Sequence, residues 1–226
     1  MTRPSVVVFD VNETLSDMRP LGQRFAEAGA PAVLWEAWFA ATLRDVFALT
    51  AVGSFPAFRD VALATARSVL RVHGGEGTDL DAAAEHVVAG FLELDVHPDV
   101  PGGMRRLAEA GVVLVTLTNG STAITERLLE RAGLLDLVDH RLEVGAVQRY
   151  KPAPEPYRHA VETAGASGPG DAAMVAVHPW DTHGAQQAGL VGAYLDRSGA
   201  PWPGVFDAPH VAAPDLETLA DRLLAR

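Results

Sequence analysis

The sequence predicts an α/β fold: a doubly wound, Rossmann-like parallel sheet interrupted after its first strand by a helical insert. Three observations lead there. Four short apolar runs, residues 5–9, 112–118, 172–177 and 191–195, have the β-branched composition of strands covered on both faces. The stretches between the later runs have helical spacing and end on glycine, as residues 123–132 do before Gly133 and residues 156–164 before Gly165. Residues 16–95 break this alternation, with aromatic residues at helical period and no strand among them. Alternating β and α units imply a parallel sheet with short crossovers.

Taken in order, the first strand ends at Asp10, and residues 1–15 with 96–226 form the α/β core domain. Residues 16–95 form the insert, in which Phe25, Trp35, Trp38, Phe39, Phe47, Phe55, Phe58 and Phe91 supply a core of their own. Residues 199–204, Gly-Ala-Pro-Trp-Pro-Gly, read as a loop, and Asp215 caps a closing helix that runs to Leu224.

Bulk properties remove several function classes. Half of the 226 residues, 48%, are apolar, enough for a full core. The absence of cysteine excludes disulfides, thiolate metal sites and cysteine nucleophiles, and fits a reducing cytoplasm. No signal-like start and no apolar stretch near the roughly 18 residues of a membrane span are present, so neither secretion nor membrane insertion is expected. A net charge of −11, with no run of Lys and Arg, opposes nucleic-acid binding. It also requires a local cation wherever an anionic small molecule is to bind.

Four polar clusters follow apolar runs, at the strand ends where chemistry sits in open α/β sheets. Asp10, with Thr14 four residues on, supplies a carboxylate nucleophile and an orienting hydroxyl. Thr118, Asn119, Gly120 and Ser121 make a donor nest for a carboxylate or oxyanion, or simply cap the next helix. Lys151, before Pro152, supplies a fixed cation that keeps Asp10 ionised. Asp181 positions water or binds a metal, and His178 donates to substrate or acts as a base.

In this order and at these separations the clusters resemble the haloacid dehalogenase-like superfamily over nearly the whole chain. Residues 116–121, 147–152 and 177–181 look most like L-2-haloacid dehalogenases, and the insert is similar to the cap of that family. The resemblance implies that Asp10 displaces halide from an (S)-2-haloalkanoic acid, and that water then attacks the Asp10 carboxyl carbon to release an (R)-2-hydroxy acid. It implies Asp10, Thr14, Lys151 and Asp181 as catalytic residues. It implies Val11, Asn12, Phe55, Thr118, Asn119, Tyr157, His178 and Trp180 as substrate-binding, with Phe55 packing on the alkyl chain. Neither metal nor other cofactor is implied, and the apolar cap helices are compatible with a homodimer.

Two residues separate this chemistry from that of the superfamily's Mg²⁺-dependent phosphohydrolases, which remain the alternative for a small phosphate ester. Those enzymes carry an acid two positions after the nucleophile, where this chain has Asn12, an amide that cannot deliver a proton. They also hold Mg²⁺ with an acidic pair, and Ala176 and His178 flank the place of its first member. A third reading, a non-catalytic binding protein, leaves Asp10, Lys151 and Asp181 without a purpose. One departure from the dehalogenases is Glu36 at the position of the cap arginine. Asp10, Asp181 and Lys151 together carry one negative charge, so another cation is required; Arg44 is the expected source, with Arg19 and Arg59 behind it.

Overall fold

A computed structural model describes residues 3–226. The chain forms two compact units, Met1–Ser16 with Asp95–Arg226, and Asp17–Leu94.

The first unit is built on one six-stranded, wholly parallel sheet: β1 (Val6–Phe9), β2 (Val113–Thr118), β3 (His140–Glu143), β4 (Ala172–Ala176), β5 (Val191–Leu195) and β6 (Val211–Ala213), in the order β3-β2-β1-β4-β5-β6. β1 is central, with Val6 opposite both Val113 and Ala172, and all four of its residues are buried. Strand side chains alternate between faces. Val6 and Val8 join Val115, Leu117 and Met174 under Tyr157, Ala160 and Val161 of α7 (Pro154–Thr163) and Ala185 of α8 (Pro179–Gln187). Val7 and Phe9 turn to the opposite face, beyond which α5 (Val100–Glu109) packs against α9 (Leu216–Leu224). The remaining helix of this unit, α6 (Thr122–Ala132), stops at Gly133, whose φ of 65° satisfies a left-handed C-cap.

Two strands lie outside the four apolar runs. β3, His-Arg-Leu-Glu, is a half-buried edge strand with no apolar run, and β6 has three residues. Edge strands need neither continuous apolarity nor length, so periodicity does not reveal them. Asp215 caps α9 as expected, its carboxylate accepting from Thr218 N at 2.7 Å.

The second unit holds α1 (Leu21–Glu27), α2 (Leu34–Ala51), α3 (Phe58–His73) and α4 (Leu80–Ala89). Its centre is Trp38, fully buried, with Phe25 and Phe91 rings each 5.7 Å away and its indole N–H donated to the Ala62 carbonyl at 2.9 Å. A buried Trp needs such a partner for its polar end. Trp35, Phe47, Phe55 and Phe58 are half-buried at the margin of this core. Among the described residues no helix is long and apolar enough to cross a membrane.

Candidate active site

The segments after β1, β3 and β4 bring five charged side chains, Asp10, Glu13, Lys151, His178 and Asp181, into one cluster. Asp10 follows β1, its backbone N–H donating to the Val175 carbonyl of β4 at 3.0 Å. Thr14 Oγ1 donates to Asp10 Oδ2 at 2.7 Å and accepts from Val177 N at 3.1 Å, which fixes the hydroxyl from both sides. Lys151 Nζ lies 2.8 Å from Asp10 Oδ1 and 2.6 Å from Asp181 Oδ2, with all three groups buried. Tyr157 donates its hydroxyl to Asp181 Oδ1 at 2.5 Å. Buried charges persist only when paired and hydrogen-bonded, and here each has at least two partners.

His178 adds a second cation. Its Nδ1 lies 3.1 Å from Asp10 Oδ2 and its Nε2 2.8 Å from Glu13 Oε2. Burial opposes the charged imidazole, but the hydrogen bonds and charges of Asp10 and Glu13 push its pKa up to about 10. Burial likewise works to raise the Asp10 carboxyl, yet Lys151 and His178 prevail and hold it below the usual carboxylate range. Asp181 moves the other way, raised by burial and by the Asp10 charge against the pull of Lys151. Two carboxylates are thus driven apart by their surroundings, one kept ionised and one made basic, as acid–base sites require.

Local sequence explains the placement. Glu13 takes a left-handed φ of 62°, which turns the chain back after Asp10 and aims the Glu13 carboxylate at His178. The turn is held by His97, whose Nε2 donates to the Glu13 carbonyl at 3.0 Å, and by Arg197, whose guanidinium donates to the Thr14 carbonyl at 3.0 Å and Asp99 Oδ1 at 2.8 Å. Asn119 locks Lys151: its side chain accepts from Lys151 N at 2.9 Å and donates to Lys151 O at 3.3 Å. The Lys151–Pro152 peptide is cis. Gly184 in α8 gives Tyr157 its room, since a Cβ there would meet the Tyr157 hydroxyl at 2.8 Å and Pro152 Cβ at 2.6 Å.

The structure places the other expected residues as follows. Arg44 does not turn inward within its unit; its side chain is 72% exposed and pairs with its neighbour Asp45. Arg19 and Arg59 are likewise exposed and paired with Asp17 and Glu85. Within the α/β unit the further cation at Asp10 is His178. Tyr157 is fully buried and holds Asp181. Val11 is buried, and one side-chain N–H of Asn119 is engaged by the Lys151 carbonyl. Thr118 is buried and accepts from Gly120 N at 2.9 Å. Asn12 and Trp180 are half-buried, and Trp180 stacks on His178 with ring centroids 5.0 Å apart. Glu13, His97 and Arg197 were not found from sequence. The signal for Glu13 was its place inside the nucleophile turn; Arg197 had only its position two residues past an apolar run.

The donor set does not suit Mg²⁺. Each oxygen of Asp10 and Asp181 already accepts from Lys151, Thr14, His178 or Tyr157, and the nearest other side chain, His178, is a nitrogen donor. Among the described residues no group of three or more His, Cys, Asp or Glu side chains is arranged to hold a metal ion.

Comparison with known proteins shows what the chain is similar to. An (S)-2-haloacid dehalogenase of Pseudomonas putida is 26% identical over 221 residues, 96% of this chain and 97% of that protein. An (S)-2-haloacid dehalogenase of Pseudomonas sp. strain YL is 30% identical over 146 residues, 64% of this chain and 62% of that protein. A crystal structure of an L-2-haloacid dehalogenase superimposes with a TM-score of 0.90 at 27% identity, over 98% of this chain and 99% of that one. The family model for haloacid dehalogenase-like hydrolases matches residues 4–189, and the chain belongs to that family.

Proposed function

We propose that this protein is an (S)-2-haloacid dehalogenase, converting (S)-2-haloalkanoic acids to (R)-2-hydroxyalkanoic acids through an ester on Asp10. The observation that carries this reading is a buried carboxylate kept ionised by two cations, Lys151 and His178, with an amide at Asn12 where a phosphohydrolase needs an acid. An ionised, oriented carboxylate is a competent nucleophile toward an alkyl halide, and halide leaves without a proton. Relatives named as (S)-2-haloacid dehalogenases cover nearly the whole chain, which supports the same substrate class.

The roles follow from the contacts. Asp10 attacks Cα and expels halide, with Thr14 and Lys151 fixing its two oxygens. Lys151 then faces the ester, ready to hold the oxyanion formed when water attacks the carboxyl carbon. Asp181, fixed by Tyr157, orients Lys151 and the hydrolytic water. Thr118, Asn12, Asn119 and the main chain of Val11, with His178 and Trp180, receive the substrate carboxylate. No step uses a metal or cofactor. The enzyme acts in the cytoplasm, and as a homodimer, in this reading.

Chloride release from each enantiomer of 2-chloropropanoate in EDTA tests the proposal. Release from the S enantiomer alone, abolished in Asp10→Asn, is the expected result. Absence of release, with phosphate freed from small esters once Mg²⁺ is added, would replace it with the phosphohydrolase reading.

A further inference from the structure

We infer that Arg197, aimed by Asp99, is a positioning residue that sets the nucleophile turn for attack by Asp10, an inference that rests on the haloacid reading above. Its guanidinium grips the turn at the residue that orients the nucleophile. Nη2 donates to the Thr14 carbonyl at 3.0 Å, and Nη1 donates to Asp99 Oδ1 at 2.8 Å. The Thr14 hydroxyl in turn donates to Asp10 Oδ2 at 2.7 Å and accepts from Val177 N at 3.1 Å. Holding both the carbonyl and the hydroxyl of one residue fixes its peptide plane and its χ1, and so the direction from which the hydroxyl meets Asp10. The effect of Arg197 on Asp10 therefore passes through Thr14. The carbonyl one residue earlier, that of Glu13, is held by His97 Nε2 at 3.0 Å.

Local sequence aims this side chain. After β5 the Arg197 N–H donates back to the Leu195 carbonyl at 3.0 Å, and Asp196 Oδ1 accepts from Gly199 N at 2.8 Å, with Gly199 in the left-handed region at a φ of 65°. The Arg197 side chain leaves this tight turn inward and is 20% exposed. Asp99, just before α5, is 16% exposed, and its other oxygen accepts from the N–H of Leu216, the first residue of α9, at 2.6 Å. Burial works to raise the Asp99 carboxyl, yet Arg197 and the Leu216 N–H hold it below the usual carboxylate range, so it meets the guanidinium as an anion. An arginine holds two acceptors in fixed directions because its donors lie in one rigid plane.

Ester formation is the step that needs this grip. An oxygen lone pair of Asp10 bonds to Cα as the carbon–halogen bonding pair leaves with halide, and no proton moves. The attacking oxygen must lie about 3–3.5 Å from Cα and opposite the halogen, so a small rotation of the carboxylate is felt directly in the rate. Hydrolysis is less exacting. The carboxyl carbon is then part of a tethered ester, and its reaction partner is a water that can adjust to it. Loss of Arg197 should therefore slow ester formation and spare ester hydrolysis.

Single-turnover rapid quench with (S)-2-chloropropanoate tests this, chloride reporting ester formation and intact protein mass reporting the ester that persists. Arg197→Ala should form the ester about ten- to a hundredfold more slowly and, with hydrolysis within about threefold of the wild-type rate, accumulate less of it. Arg197→Lys keeps a cation for Asp99 without the fork, so it should melt close to the wild-type temperature yet recover only part of the rate of ester formation. Asp99→Asn keeps an acceptor for Leu216 N and should slow ester formation about three- to tenfold, which covers the case in which the arginine variants fold poorly. Ester formation at the wild-type rate in Arg197→Ala, or equal slowing of both steps in all three variants, would overturn the positioning role while leaving the haloacid reading intact. No chloride from the wild-type protein would remove that reading and the positioning role together.

Discussion

The two units handle charge in opposite ways. In the α/β unit, Asp10, Lys151 and Asp181 are buried and His178 nearly so, each paired at 2.6–3.1 Å. In the helical unit, Arg19, Arg44 and Arg59 pair with Asp17, Asp45 and Glu85 while remaining 77%, 72% and 58% exposed. Exposed pairs contribute about 0–1 kcal/mol and are screened by solvent. Buried pairs gain little net stability over apolar packing, but each partner dictates the protonation of the other. Charge balance alone points to arginines of the helical unit, whereas the chemistry needs charges that solvent cannot screen.

Four measurements would break or sharpen this contrast. The largest effect belongs to Lys151→Met, which leaves Asp10 and Asp181 buried without their shared cation. Turnover should fall at least about a thousandfold, and urea melts should show a loss of about 3–5 kcal/mol. Near-wild-type activity would remove Lys151 from the mechanism.

The next effect is on pH dependence. His178 has its folded pKa raised from 6.5 to about 10, so its contribution is complete below about pH 6.5 and is lost as pH rises toward 10. Asp10 is depressed, so its contribution is lost only in acid. Wild-type stability should therefore decline between about pH 6.5 and 10 more steeply than that of His178→Asn, on the order of a few kcal/mol in all. Parallel melting curves for the two proteins across that window would refute the charged imidazole.

Arg197→Ala should act at a distance through the nucleophile turn. It frees the Thr14 carbonyl and strands Asp99, which also accepts from Leu216 N at the start of α9 at 2.6 Å. We expect about 1–3 kcal/mol of destabilisation and a fall in kcat of roughly ten- to a hundredfold with KM little changed. A change in KM alone would show that Arg197 does not order Asp10. The smallest effect should be that of Arg44→Ala, within about 0.5 kcal/mol and with kcat/KM nearly unchanged, since its partner is its exposed neighbour. A hundredfold loss of kcat/KM there would return the substrate cation to the helical unit.

Much of this was legible in the sequence because it is local. Periodicity marks β1, β2, β4 and β5, glycine and Asp215 mark helix ends, and Asp10, Thr14, Lys151 and Asp181 stand at strand ends where an α/β sheet gathers its chemistry. The motif order identified the family. What the sequence left open is set by contacts across long separations. His178 meets Asp10 across 168 residues and Arg197 meets Thr14 across 183, because β4 and β5 lie in order beside β1. No period or spacing encodes that a histidine lies between two carboxylates, or that Tyr157 is turned in under Asp181. Local propensity determined the elements and the motif residues; strand order and burial decided which of their charges are paired, and so which can act.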